Sequence, residues 1–458
     1  MVFHKIEKIH FVGIGGIGMS GIAEVLLNLG FIITGSDIRK NETTERLEKL
    51  GARIYYGHRE ENVFGADVVV ISSAVKFDNP EVLKAKELFI PVIQRAEMLA
   101  ELMRMKYSIA IAGAHGKTTT TSLIATILAH AGFDPTCVIG GKLNSLGSNA
   151  KLGSSKYLVA EADESDGTFL LLFPTIAVAT NIDLEHLDFY KDLNEIKAAF
   201  LTFLNKVPFY GMDIICIDNP NLQSLIPYLK RRYVTYGLSK QADIRATDIR
   251  IEGFKTICRV MYKDSELGEL TMTIPGIHNI VNGLAACAVG IELDIPFEKI
   301  AEALSSFTGI QRRLEVKWDG HIKLIDDYGH HPTEIKATLL SLRNMCKGRI
   351  IVIFQPHRYT RTKALMEEFV TSFNEADVLL VTEIYPASEE PIEGVSGAVL
   401  AERIKTSGHK SVIYCSTKED VVERVLEIAS HGDTVVVLGA GDINKICDVL
   451  IKRWTGKE

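Results

Sequence analysis

The chain has 458 residues, too many for one ordinary core, and that length points to about three domains. Hydrophobic residues make up 47% and charged residues 24%, and the net charge is −7, which excludes a protein built to coat nucleic acid or an anionic membrane while leaving room for local basic pockets. Seven single cysteines with no CxxC pair exclude a disulfide frame and a zinc site, and read as reduced, buried thiols.

Lys5, Glu7 and Lys8 precede an apolar stretch that Gly13, Gly15, Gly16, Gly18 and Gly21 interrupt early, which does not read as a signal peptide. No charge-free run approaches the roughly 20 residues of a bilayer span. The expectation is a cytoplasmic protein without membrane insertion. From 8 to about 96, strands at Ile9–Val12, Ile32–Thr34 and Val68–Ser72 alternate with helical patterns such as Ile17–Leu29. That rhythm implies parallel pairing in an α/β layer structure. Gly13-Ile14-Gly15-Gly16-Ile17-Gly18 fits GxGxxG between strand and helix, and Asp37 ends the next strand. The pattern specifies a diphosphate on a helix N-terminus and an acid near a ribose. Nothing in it names a nicotinamide, and a tight turn with close helix packing is the plainer alternative.

A second unit opens with the strand Tyr107–Ala112 and runs through Gly113-Ala114-His115-Gly116-Lys117-Thr118 into the helix Lys117–His130. Glycines let the backbone N–H groups curl inward, the helix adds about half a positive charge, and Lys117 supplies a full one. This is a triphosphate loop with a displaced glycine. The usual pattern puts glycine where Ile111 stands, which counts against common GTPases and kinases. Strands follow at Tyr157–Ala160 and Ile176–Thr180, each ending in polar residues: Glu161-Ala162-Asp163-Glu164-Ser165-Asp166 and Asn181-Ile182-Asp183-Leu184-Glu185-His186. Four carboxylates in six residues repel one another unless cations compensate. A solvated loop and a magnesium site both remain open there, and His186 reads equally as a nitrogen ligand or a loop histidine. Segments between 243 and 274, such as Thr256–Tyr262 and Leu270–Ile274, read as antiparallel strands, and the helix His278–Glu292 follows.

The last unit repeats the rhythm with strands at Ile322–Ile325, Ile350–Phe354, Val378–Val381, Ser411–Tyr414 and Thr434–Leu438, and helical patterns at Thr333–Cys346 and Thr362–Ala376. Asp326-Asp327-Tyr328-Gly329-His330-His331, Gln355-Pro356-His357-Arg358-Tyr359-Thr360-Arg361 and Glu383-Ile384-Tyr385-Pro386 each follow a strand directly, where open α/β sheets bind ligands. Arg358 and Arg361 are suited to clamp a carboxylate or phosphate. Gly439-Ala440-Gly441-Asp442 reads as a plain turn.

In order and spacing, GIGGIGMSGIA at 13–23, GAHGKTTT at 113–120, EADESD at 161–166, TNIDLEH at 180–186, HNIVN at 278–282, QRR at 311–313, DDYGHHPTE at 326–334 and QPHRYTRT at 355–362 resemble the Mur ligases of peptidoglycan synthesis. The resemblance covers essentially the whole chain and is nearest to the members that add L-alanine to UDP-N-acetylmuramate. It implies an N-terminal Rossmann-like domain for the UDP-sugar at 1–96, a central P-loop ATPase-type mixed sheet with an antiparallel portion at 97–309, and a C-terminal Rossmann-like domain at 310–458. It also implies ATP with magnesium (manganese as a substitute), an acyl-phosphate route, no nucleic-acid partner, and a monomer or weak homodimer. The implied UDP-sugar contacts are Gly15, Gly16, Ile17, Gly18, Asp37, Ser73, Glu164 and Ser165. Those for ATP are Gly113, Ala114, His115, Gly116, Lys117, Thr118, Thr119, Asn279, Asn282, Arg313 and Asp327. Thr118, Glu161 and His186 take the metal, and Tyr328, His330, Arg358 and Arg361 the amino acid. Lys117, His186, Arg313, His330 and His357 form the implied catalytic set. Ala114 stands where the family's loop commonly has threonine. Phe200 is nearest to the place where several relatives carry a carbamylated lysine, a residue the L-alanine-adding members also lack. A murein-peptide ligase, adding a recycled peptide to the same sugar, is the nearest alternative. An NAD-dependent oxidoreductase leaves the triphosphate loop unexplained, and a non-catalytic nucleotide-binding regulator leaves the polar loops of the last unit unexplained.

Overall fold

The structure is a computed structural model that describes residues 5–72, 74–76, 78–143, 148–186, 189–387 and 389–456; the side chains of Ile17 and of residues 140–143 and 148–150 lie outside that description. The implied UDP-sugar contact Ser73 also lies outside the described residues. The elements build three sheets. In the first, all strands are parallel, in the order Arg53–Tyr56, Ile32–Asp37, Lys8–Val12, Val68–Ile71, Val92–Gln94. The chain therefore winds outward both ways from Lys8–Val12, and the glycine cluster follows the carboxyl end of that central strand.

The second sheet runs in the order Ser265–Met272, Lys255–Tyr262, Ile244–Glu252, Tyr233–Gly237, Met212–Cys216, Ile176–Ala179, Tyr107–Ala112, Tyr157–Glu161, Thr136–Leu143, Ser148–Lys151. Tyr107–Ala112 lies between Ile176–Ala179 and Tyr157–Glu161, parallel to both. Its Ile109–Ala112 is fully buried, as is all of Ile176–Ala179. Burial on both faces explains why these strands read as unbroken apolar runs. The expected antiparallel portion is present at Ile244–Met272. Only two residues, Gly253-Phe254 and then Lys263-Asp264, separate successive neighbouring strands, a connection that requires antiparallel pairing. Gly253 and Lys263 take the positive φ such turns need, at 60° and 54°.

The third sheet has the order Glu315–Asp319, Lys323–Asp327, Thr434–Leu438, Ile350–Phe354, Val378–Val381, Val412–Tyr414, with only the first pair antiparallel. Alternate residues of Ile350–Phe354 serve two cores. Ile350, Val352 and Phe354 join one cluster with Leu339, Phe369 and Leu400, whereas Ile351 and Ile353 join another with Val421, Val425 and Leu450. The chain forms two compact units: Met1–Asp248, Cys258–Thr271 and Val281–Thr308 in one, Ile249–Ile257, Met272–Ile280 and Gly309–Glu458 in the other.

One expected helix is corrected. The pattern Thr362–Ala376 is two short helices, Tyr359–Ala364 and Met366–Val370, broken at Leu365 with φ −110° and ψ 24°. Thr371 and Ser372 then turn their hydroxyls onto the Glu368 carbonyl, at 3.2 and 2.6 Å, which competes with continuation of the helix.

Candidate active site

Three adjacent strand ends in the first unit carry the chemistry. The loop after Tyr107–Ala112 is folded by its glycines, with φ 145° at Gly113 and 81° at Gly116. A methyl group at Gly113 would lie 2.0 Å from Thr180 Oγ1, and one at Gly116 2.6 Å from Asn282 Oδ1. The next strand end clamps the loop. The His115 N–H donates to Asn181 Oδ1 at 2.8 Å, and Asn181 Nδ2 and Thr180 Oγ1 donate to the His115 carbonyl at 2.9 and 2.6 Å. His115 Nε2 also lies 3.1 Å from Asp183 Oδ2. Thr118 and the buried Thr119 open the helix Lys117–His130.

Lys117 does not project freely into the loop. Its Nζ donates to the Gly113 carbonyl and, at 2.7 Å, to Glu164 Oε1. Burial opposes the ammonium charge, but the carboxylates of Glu164 and Asp163 more than offset it and hold its pKa above the ordinary lysine value. In the same way, burial resists the Glu164 charge and Lys117 prevails, so its pKa is lowered. The other oxygen, Glu164 Oε2, is buried without a hydrogen-bond partner. Glu164, Glu185 and His186 bring ligand atoms within 4.8 Å of one another, with His186 Nε2 3.6 Å from Glu164 Oε1 and 3.7 Å from Glu185 Oε2. His186 adopts φ 56°, left-handed backbone that costs about 1–3 kcal/mol and must be held by its surroundings. A small recess opens here, lined by Ala114, Glu164, Glu185, His186, Tyr190 and Phe200. Glu161 ends its strand opposite Ile111, and neither it nor Thr118 belongs to this group of three.

The glycine cluster lies in the same unit. Asp37 Oδ2 accepts the Gly15 N–H at 2.8 Å, so this acid braces the turn itself. Gly18 leaves room for Arg95, whose Cδ would lie 3.1 Å from a methyl there. Arg95 Nη2 lies 3.2 Å from Asp163 Oδ2, and the Ser165 N–H donates to Asp163 Oδ1 at 3.2 Å. An arginine thus links the helix that starts at the glycines to the acidic loop. No sequence signal marked it.

The second unit collects the remaining polar residues at the carboxyl ends of its sheet. Arg313 sits between two left-handed residues, Arg312 with φ 60° and Leu314 with φ 47°. The turn is locked by the Leu314 N–H to Asp327 Oδ2 at 2.8 Å and the Tyr328 N–H to the Arg312 carbonyl at 2.7 Å. Asp327, implied at the ATP ribose, has both oxygens committed inside the protein, the second to the Gly329 N–H at 2.8 Å. Asn279 Nδ2 donates to the Pro275 carbonyl at 2.6 Å. Arg313 Nη1 lies 3.4 Å from Glu334 Oε1, and its guanidinium stands 5.3 Å from the Tyr328 ring centroid. The His330 and His357 rings approach to 6.0 Å, and Tyr385 stacks on His357 at 5.4 Å and 11°. Burial pushes both histidines down, His330 to about 3 and His357 to about 4. Arg361 Nη1 lies 3.3 Å from His357 Nδ1, while Arg358, with φ 71°, sits 4.0 Å from Glu389. Glu185, Glu334 and Tyr385 were visible in the motifs, but nothing in their spacing named a role.

Three family models match the chain: "Mur ligase family, catalytic domain" over residues 8–107, "Mur ligase middle domain" over 111–290, and "Mur ligase, glutamate ligase domain" over 312–441. The chain is 59% identical over 456 residues to a UDP-N-acetylmuramate–L-alanine ligase of Geotalea uraniireducens, covering 99% of this chain and 100% of that one. It is 57% identical over 454 residues to a protein of the same name from Geobacter sp. strain M21, covering 99% and 98%. Among solved structures, a UDP-N-acetylmuramate-alanine ligase from Thermotoga maritima superposes with a TM-score of 0.84 at 29% identity, covering 98% of this chain and 100% of that one. A murein peptide ligase from Psychrobacter arcticus gives 0.71 at 25%, covering 97% and 98%.

Proposed function

The chain belongs to the Mur ligase family, and on that premise we propose that it joins L-alanine to the lactyl carboxylate of UDP-N-acetylmuramate with consumption of ATP, in the cytoplasmic synthesis of peptidoglycan precursor. The observation that carries this reading is the 59% identity, over its full length, to a UDP-N-acetylmuramate–L-alanine ligase. The lactyl carboxylate attacks the γ-phosphate to give an acyl phosphate and ADP. The amine of L-alanine then attacks the acyl carbon, and phosphate leaves. Bringing carboxylate and phosphate together costs about 4 kcal/mol per charge pair at 4 Å and an effective dielectric near 20. Lys117 and Arg313 supply compensating charge, and the N-terminal N–H groups of the helix Lys117–His130 hold the phosphates. A divalent cation fits the first unit, because Glu164 Oε2 is buried without a partner beside Glu185 and His186. Glu164, Glu185 and His186 would hold the cation, magnesium in this reading, and it would supply charge neutralisation to the phosphates. No helix is long and apolar enough to cross a membrane among the described residues.

The test is phosphate release from purified protein given ATP and UDP-N-acetylmuramate. Release should depend on L-alanine, and its absence removes the assignment. The murein-peptide reading predicts that a tripeptide replaces L-alanine in the same assay. Among the solved structures, the L-alanine ligase of Thermotoga maritima is nearer in fold and sequence than the murein peptide ligase, with a TM-score of 0.84 against 0.71 and 29% identity against 25%, which favours the single amino acid.

A further inference from the structure

Amide formation from an acyl phosphate requires a proton acceptor at the amine, since a protonated amine has no lone pair with which to attack. The polar loops of the second unit offer two half-buried histidines, His330 and His357, and their partners make them unlike. His330 Nδ1 faces two acceptors, the Tyr328 carbonyl at 3.1 Å and Glu334 Oε2 at 3.3 Å. Neither can donate, so the proton of the neutral ring lies on Nδ1 and the lone pair on Nε2. His357 Nδ1 faces a donor, Arg361 Nη1, at 3.3 Å. A guanidinium only donates, so this ring carries its proton on Nε2 and has no acceptor to offer.

We propose that His330 Nε2 accepts the amine proton of L-alanine, and that Glu334 is the positioning residue that fixes its tautomer and balances the imidazolium; this rests on the acyl-phosphate reading above. L-Alanine gives its first ammonium proton to His330 Nε2, which frees the lone pair. Its nitrogen forms the C–N bond with the acyl carbon, the carbon–oxygen bond to phosphate breaks with its electron pair on phosphate, and the departing phosphate takes the second nitrogen proton. The ring returns its own proton to solvent after the product leaves. Burial keeps the His330 ring neutral before the amine arrives, and the Glu334 carboxylate opposes that effect and so favours the ring once it has taken the proton.

Glu334 also has a structural duty. It receives the His330 N–H at 3.1 Å and the His331 N–H at 3.4 Å, completing a capping box on the helix Pro332–Met345. Glutamine caps equally well but carries no charge, which separates the two roles. The experiment supplies ATP and UDP-N-acetylmuramate with L-alanine and hydroxylamine together. Hydroxylamine is neutral at pH 7, so it captures acyl phosphate without help from a base. In His330→Ala and Glu334→Gln, the ratio of L-alanine product to hydroxamate should fall at least ten-fold, on the scale of lost general-base catalysis. Added imidazole should restore the ratio in His330→Ala and not in Glu334→Gln. An unchanged ratio in both variants overturns the proposal, as does a wild-type ratio and pH profile in Glu334→Gln alone. Failure of the unmutated enzyme to form either product overturns the acyl-phosphate reading itself. Thermal melting checks folding, and if Glu334→Gln does not fold, Glu334→Asp is read by the same ratio.

Discussion

Asp213 sits in the buried strand Met212–Cys216 with no exposed surface and no hydrogen-bond partner on either carboxylate oxygen. Burial pushes its pKa up to about 8, opposed only by Arg231, so the folded protein carries it as the neutral acid. The unfolded chain releases that proton near the ordinary value of about 3.9. Because the native pKa is the raised one, the contribution to stability is complete at low pH and drains away as pH rises from about 4 to about 8, at up to about 1.4 kcal/mol per pH unit. Asp213→Val should therefore raise the melting temperature of the first unit by several degrees at pH 7.5 and much less at pH 5. Equal shifts at both values in a pair of thermal melts exclude this account.

At the scale of elements, the turn between Tyr107–Ala112 and Lys117–His130 depends on two glycines for different reasons. Gly132, past the other end of the helix, gives the control: its φ is 86° but nothing lies within 4 Å of an added methyl. Gly116 has a similar φ of 81° and Asn282 in the way. Left-handed backbone costs a non-glycine residue about 1–2 kcal/mol. Gly132→Ala should lose about that much stability and keep its KM for ATP. Gly116→Ala should lose at least ten-fold in kcat/KM for ATP, since 1.4 kcal/mol is a factor of ten. Steady-state kinetics on both variants decide it. The strand and helix on either side of this turn were legible residue for residue, because a fully buried run followed by a long helix leaves no competing pattern. The short strands Arg53–Tyr56 and Val92–Gln94 were not, since they are only partly buried sheet edges with little hydrophobic signal. The site divides similarly. Lys117 and His186 stood out by residue type, whereas Glu164 takes its meaning from Lys117, 47 residues earlier, Glu185 from its place beside Glu164, and Glu334 from a tautomer that spacing does not encode.

For the whole molecule, the cysteine reading can be tested in one step. All seven thiols are free; Cys137, Cys216, Cys258, Cys287, Cys415 and Cys447 are buried, and Cys346 is half-buried. Burial pushes Cys137, Cys258 and Cys447 up to about 12 and Cys216 to about 11, so almost no thiolate exists at neutral pH. A colorimetric thiol titration should find at most one fast-reacting group, Cys346, in the native protein and seven in denaturant. Several fast groups in the native protein would mean that its units open readily.

The pairing of Lys117 with Glu164 makes the loop choosy about its visitors. A bare anion that takes the ammonium strands a buried carboxylate, and breaking such a pair from one side costs about 3–5 kcal/mol. Free phosphate or sulfate brings nothing to offset that loss. A nucleotide escorted by a divalent cation brings the replacement partner with it, so the ligand is admitted as an ion pair exchanging for an ion pair. The loop is in this sense closed to the commonest anions around it.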